Sequence, residues 1–368
     1  MSKRMLVLEN GKFYIGEGFG SSDTRIAEIV FDTAMVGYQE ILSDAVNYSR
    51  IVVMSYPLIG NYGMTDDDYE SKGIYTAGMV VREYNDVPSN FRFTKTLSEV
   101  MRDAGVAGLS GVDTREIVKI IRDEGSMRAM ITDAVRDVGE CVKELKAYAL
   151  PSGQVAAVST KNIWFSRTRN PQFNIAVADC GGKLSLIKKL NANGCNVIVV
   201  PYNTPYEEIM KYKPDGLVIS EGPGDPADAG EVIELVKKAR GKLPIMGAGL
   251  GMQIIAIAYG GKTVKMLNGH RGANYPVRET GGEKVEITSQ NHGYAVDADS
   301  LKNTSLKVTH VNVIDGDAEG AEDAKAKVVC AEYGPSEVVG SDDNGYLFDR
   351  FIGYLRAGGK KNAKENRY

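Results

Sequence analysis

Pro244-Ile245-Met246-Gly247-Ala248-Gly249-Leu250-Gly251-Met252 runs from a short apolar strand through three glycines into an apolar helical stretch that continues to Tyr259. The whole of 243–261 carries no charge, so a membrane span is the competing reading. Pro244, the interspersed glycines and Gln253 argue instead for strand, glycine turn and helix. The same unit recurs upstream. Apolar runs at 173–178, 195–200 and 216–220 are each followed by a helical stretch, at 183–191, 206–211 and 229–239. Apolar strands alternating with helices predict a doubly wound, mostly parallel sheet. In such sheets ligands gather at the carboxyl ends of the strands, so the glycine turns there are the places to look for chemistry.

Outward from this core the pattern changes. Downstream, 262–266, 284–288, 306–310 and 328–333 read as further strands. Upstream, 151–172 is irregular, with Pro151, Gly153 and Pro171, and is expected to be a linker. Residues 1–150 mix strands (5–8, 12–15, 27–33, 50–56) with helices (96–104, 114–124) in no regular alternation, an α+β domain. Asn10-Gly11 marks a hairpin turn and Asp113 a helix N-cap. The expected division is therefore a domain over 1–150, a linker over 151–172, an α/β domain over 173–356 and a basic tail over 357–368.

Composition excludes several classes. Hydrophobic residues are 43% and charged residues 25% of 368, the profile of a folded globular chain rather than a disordered one. The net charge is −4, and the C-terminal tail is net positive, which reads as a solvated terminus. Nucleic acid is not expected as a partner. Four scattered cysteines without a C-x-x-C pair point to a reducing compartment, and the three histidines lack zinc-ligand spacing, so no metal is expected. The N-terminus has no apolar run of signal-peptide length.

Met246 to Met252 has the shape of a nucleophile elbow, in which flanking glycines permit a strained turn that presents a Ser or Cys at a helix N-terminus. Here the central residue is Gly249, which brings no nucleophile. Ser220-Glu221-Gly222-Pro223-Gly224-Asp225-Pro226 forms a rigid loop after another strand, suited to an oxyanion hole but equally to an ordinary turn. Cys180, in Ala178-Asp179-Cys180-Gly181-Gly182, is a substitute nucleophile only if a base reaches it; packing is the expected role.

These turns, in this order, resemble the small (glutaminase) subunit of carbamoyl-phosphate synthetase. In the N-terminal half the resemblance rests on Val30-Phe31-Asp32-Thr33-Ala34-Met35-Val36-Gly37-Tyr38-Gln39-Glu40-Ile41-Leu42, on Ser55-Tyr56-Pro57-Leu58-Ile59-Gly60-Asn61-Tyr62-Gly63 and on Gly111-Val112-Asp113-Thr114-Arg115. In the C-terminal half it rests on Gly222 to Pro226, Gly269-His270, Gly272-Ala273-Asn274, Asn291-His292-Gly293 and Tyr346-Leu347-Phe348-Asp349-Arg350-Phe351, the pattern of a class I glutamine amidotransferase.

The resemblance implies glutamine hydrolysis by a Cys–His–Glu triad, with ammonia passed to a large ATP-dependent subunit that makes carbamoyl phosphate, a precursor in arginine and pyrimidine biosynthesis. By that comparison Gly249 stands for the cysteine, and Gly334 and Ser336 stand for the histidine and glutamate. Arg271 and Tyr275 stand for histidines, Met252 for the histidine after the elbow, and Glu221 for a neutral residue. Family glutamine contacts map onto Gly222, Gly224, Leu250, Gln253, Asn291, Gly293 and Tyr294, with a further contact near Asn47.

The expectation is therefore a cytoplasmic, non-catalytic small subunit with no catalytic residue, cofactor or metal of its own. ATP and magnesium would belong to its large-subunit partner, and glutamine would be at most a ligand that is not hydrolysed. A stand-alone ligand-binding or regulatory protein that keeps part of the glutamine pocket is the alternative. An altered chemistry centred on Cys180 is a third.

Overall fold

The computed structural model describes residues 3–334 and 345–365; Ser336 lies outside them, as do the side chains of the expected basic tail from 358 onward. The chain divides into two units, Met1–Pro151 and Ser152–Tyr368.

In the first unit seven strands close into a barrel, in the order Lys3–Leu8, Phe13–Gly20, Ala107–Ser110, Gly78–Val80, Arg50–Met54, Arg25–Asp32 and Met127–Asp133. The first two strands form the expected hairpin, with Leu6 opposite Tyr14, and Gly11 takes the turn at φ 90°. Alternation along the first strand serves two layers. Leu6 and Leu8 join Ile29, Ile51, Val80, Leu109 and Ile131, while Met5 and Val7 pack with Met130, Cys141 and Leu145. Leu145 and Cys141 lie on helix Val138–Ala147, which the sequence reading missed. Helix Thr114–Glu124 is capped by Asp113, whose side chain accepts from Glu116 N at 3.0 Å, and it buries Ile117, Ile120 and Ile121. Thr96 and Glu99 form a capping box on helix Leu97–Asp103.

The second unit holds a ten-stranded sheet. Its parallel core runs Cys195–Pro201, Phe173–Asp179, Gly216–Ile219, Ile245–Ala248 and Val328–Ala331. Beyond the last of these it continues antiparallel through Ala318–Asp323, Val285–Val296, Thr263–Glu279 and Lys307–Asn312. The segment 151–172, expected as a linker, holds helix Gln154–Val158 and strand Trp164–Ser166, which pairs antiparallel with the outermost parallel strand.

The parallel strands are buried on both faces, as the apolar runs require. Val177, Val199, Val218 and Met246 pack against Leu186, Leu190, Phe348 and Phe351 on one side. Ala176, Ile198, Leu217 and Ile245 pack against Val232, Val236, Ile254 and Ile255 on the other. This is the expected doubly wound α/β architecture.

Candidate functional site

Three turns meet at the carboxyl ends of the central parallel strands. The first holds Gly249 at φ 53° and ψ −119°, a conformation that side chains rarely adopt. Its N–H donates to Ala331 O at 2.8 Å, tying the turn to the neighbouring strand, and its carbonyl accepts from Met252 N at 2.9 Å as helix Leu250–Ala258 begins. A Cβ at Gly251 would overlap the carbonyl oxygen of Ile219, so the helix start presses directly on the adjacent strand. The strained turn of an elbow is thus fully formed around a residue that has no side chain.

The second turn follows strand Gly216–Ile219. Ser220 Oγ accepts from Cys180 N at 2.9 Å and donates to Glu221 O at 2.9 Å. A Cβ at Gly222 would overlap Cys180 O and crowd Leu250, so only glycine lets these backbones approach. Glu221 is 4% exposed. Its Cγ lies 3.2 Å from where a Cβ of residue 249 would stand, and its Oε1 occupies the place of a Cβ on Gly334. The Glu221 side chain therefore fills the space between the elbow and the segment that follows strand Val328–Ala331. Cys180, on the third turn, is buried. Burial, with Asp179 and Glu221 adding negative charge, pushes its thiol far above the usual range, so it stays protonated and unreactive.

Beside these turns lies a buried polar network. Gln253 Nε2 donates to Tyr294 O at 2.9 Å and to Glu332 Oε2 at 2.9 Å. Burial, reinforced by Glu319, holds the Glu332 carboxyl well above its ordinary range; the Gln253 bond opposes this. His292 Nδ1 bonds Tyr294 O at 2.8 Å and lies 3.9 Å from Glu332 Oε2.

The residues expected to form a glutamine pocket are placed as follows. Gly222 and Leu250 are in contact, Gln253 and Tyr294 are hydrogen-bonded, and Asn291, Gly293 and Tyr294 share strand Val285–Val296. Gly224 holds φ 95° in the loop after Glu221, with Gln154 beside it. Asn47 belongs to the first unit, where it is buried and its amide donates to Ile41 O at 2.9 Å. Gly334 lies against Glu221. Sequence reasoning missed Glu319 and Glu332, and it quoted His270 only as part of a motif. No local pattern announces them, because they come from strand Thr263–Glu279, from strand Ala318–Asp323 and from the residue after parallel strand Val328–Ala331, and meet only in the folded sheet.

Residues 176–354 match the family model of class I glutamine amidotransferases, in agreement with the doubly wound sheet and its elbow, so the second unit is a domain of that class. Residues 6–131 match the model described as carbamoyl-phosphate synthase small chain, CPSase domain. The chain is 44% identical to a carbamoyl phosphate synthase small chain of Staphylococcus epidermidis, over 97% of each chain. It is also 44% identical to one of Fusobacterium nucleatum, over 96% of this chain and 98% of that one. Similarity to the small chain of Staphylococcus haemolyticus, at 43%, spans 100% of both. The chain belongs to the carbamoyl phosphate synthase small chain family. No helix among the described residues is long and apolar enough to cross a membrane.

Proposed function

We propose that this chain is a small chain that does not hydrolyse glutamine. In this reading it serves, in the cytoplasm, a large-chain partner that makes carbamoyl phosphate from bicarbonate, ATP and free ammonia. One observation carries the reading: the strained turn at residue 249 presents no nucleophile, and Glu221 fills the space beside it up to Gly334. Covalent amide hydrolysis needs an atom to form the acyl bond and a base to take its proton. Removing the nucleophile or the base of a triad costs on the order of a millionfold in rate. The buried Cys180 thiol offers no replacement. ATP and magnesium belong with the large chain in this reading, and glutamine binds, if at all, without turnover.

The first unit supports a partner role. It exposes Met35, Val87 and Phe91 at 70%, 75% and 95%, apolar side chains that suit burial against another surface. A stable interface there should bury more than ~1,000 Å². The test is co-expression with the large chain, size-exclusion chromatography, and carbamoyl phosphate synthesis with ammonium or with glutamine. The expected result is a complex active with ammonium alone. Separate elution at micromolar concentration, or synthesis supported equally by glutamine, overturns the reading.

A further inference from the structure

His270 and His292 are directly opposed across strands Thr263–Glu279 and Val285–Val296, with ring centroids 5.0 Å apart and edge to face. Glu319, on strand Ala318–Asp323, is fully buried beside them. One ligand atom from each residue lies within 4.8 Å of the other two.

The hydrogen bonds around the trio define which atoms face inward. His292 Nδ1 lies 2.8 Å from the carbonyl oxygen of Tyr294, which can only accept, so Nδ1 carries the proton. Its Nε2 then presents a lone pair, 3.1 Å from Gln290 Oε1, another acceptor. The Gln290 amide cannot turn to donate there without loss, because its Nε2 donates to Glu319 Oε2 at 2.8 Å. His270 lies between two carboxylates. Its Nε2 sits 2.7 Å from the Asp315 carboxylate and its Nδ1 faces Glu319 Oε1 at 3.5 Å, with the Asn312 amide also 3.5 Å away. Glu319 Oε1 accepts from Asn312 Nδ2 at 2.9 Å. At His292 acceptor faces acceptor in a buried site, and at His270 two carboxylates face one ring; positive charge, either a proton on His270 or a metal ion among the three ligands, satisfies such an arrangement.

We propose that His270 Nδ1, His292 Nε2 and Glu319 hold a divalent transition-metal ion, zinc fitting the donor set best. Two imidazoles and a carboxylate form a zinc-type ligand set with a fourth position left for water. Zinc ligands stand roughly 3.3 Å apart when bound tetrahedrally at about 2.0–2.1 Å. The 3.5 Å between His270 and Glu319 is already close to that spacing. Each histidine has its other nitrogen fixed by an oxygen, Asp315 or Tyr294, the arrangement that orients metal-bound imidazoles. Asp315 and Asp317 add negative charge beside His270, and Arg271 opposes it.

Side chains alternate along a strand, so His292 faces away from Asn291 and Gly293. The ion would therefore brace, from behind, the strand that carries these pocket residues, and would tie the side chains of three strands together.

The experiment uses the full chain, stripped with a chelator, titrated with zinc chloride, dialysed and analysed for metal. It should retain about one equivalent, with affinity falling about 10–100-fold in His270→Ala, His292→Ala and Glu319→Gln. His310→Gln, which alters the third histidine, should bind as the unaltered chain does. Because core variants can misfold, cobalt(II) added to the unaltered stripped chain gives a second readout: visible bands of a nitrogen and oxygen site, without a thiolate charge-transfer band. Retention of no zinc above the buffer blank, full retention by the His270→Ala/His292→Ala double variant, or a thiolate band overturns the proposal.

Discussion

Alanine at position 249 isolates the conformational demand of the elbow from its chemistry. The backbone there, at φ 53° and ψ −119°, costs a residue with a side chain about 1–3 kcal/mol. Alanine recovers about 0.4–1 kcal/mol of that by restricting the unfolded chain. Its Cβ would stand 3.2 Å from Glu221 Cγ, a tighter approach than ordinary packing, which adds to the cost. The net expectation is a loss of about 1–2 kcal/mol, since strain and crowding outweigh the entropy gain. In a unit of this size that lowers the melting temperature by about 2–8 °C, read by calorimetry. Gly353→Ala is the control. That glycine lies exposed in helix Gly345–Glu365 with nothing near its Cβ position. Its replacement should stabilise by about 0.5–1 kcal/mol. Combining Gly249→Ala with Glu221→Ala should relieve the crowding and leave the strain. If Gly249→Ala melts at or above the unaltered chain, the turn is not held in the strained conformation and the argument fails.

Gly249→Cys should leave glutamine turnover at background, measured as ammonia release, because Gly334 supplies no imidazole to take the thiol proton; turnover would reveal a base elsewhere. Burial pushes the Glu322 carboxyl up, but bonds from Arg350, Tyr354 and Tyr346 outweigh it and hold the group below its ordinary value. Its contribution is therefore present above about pH 4.3, the ordinary glutamate value, and is lost as pH falls through the lower folded value. Glu322→Gln should cost about 1.5–3 kcal/mol at neutral pH, and the gap should shrink in acid; a gap independent of pH refutes the assignment. Asp113→Ala should remove about 1 kcal/mol from the first unit by uncapping helix Thr114–Glu124, and an unchanged urea midpoint would show the cap to be inert.

Much of the fold was legible because the parallel strands are apolar on both faces and alternate with helical stretches. Asp113, which accepts from Glu116 N, was readable as a cap from residue type alone. Strand Ala318–Asp323 was not, since Ala-Glu-Gly-Ala-Glu-Asp has neither apolar alternation nor β-branched residues, yet every position is buried. Its acids are accommodated by partners from elsewhere: Asn312 and Gln290 for Glu319, Arg350 for Glu322, Ser305 and Tyr259 for Asp323. Closure of the barrel was equally hidden, because it depends on Lys3–Leu8 pairing with Met127–Asp133 across the whole unit. The glycine turns were visible as turns, but the reach of Glu221 from one to the next needed three dimensions. The cluster of His270, His292 and Glu319 was not legible from histidine spacing, because its members come from separate strands.

Strand order in the second unit has a consequence for how the chain is made. The last parallel strand, Val328–Ala331, sits between Ile245–Ala248 and Ala318–Asp323, so the middle of the sheet is supplied late in the chain. One face of that sheet waits longer still, for Phe348, Phe351 and Leu355. The barrel, by contrast, has all its strands once Asp133 has been added. At translation rates of about 5–20 residues per second, the ribosome needs roughly 10–40 s more to release a second unit able to close. During that interval a finished barrel trails an unfinished sheet with open, apolar strand edges. Premature termination after the first unit is complete but before the final helix would yield a folded first unit attached to an aggregation-prone remnant.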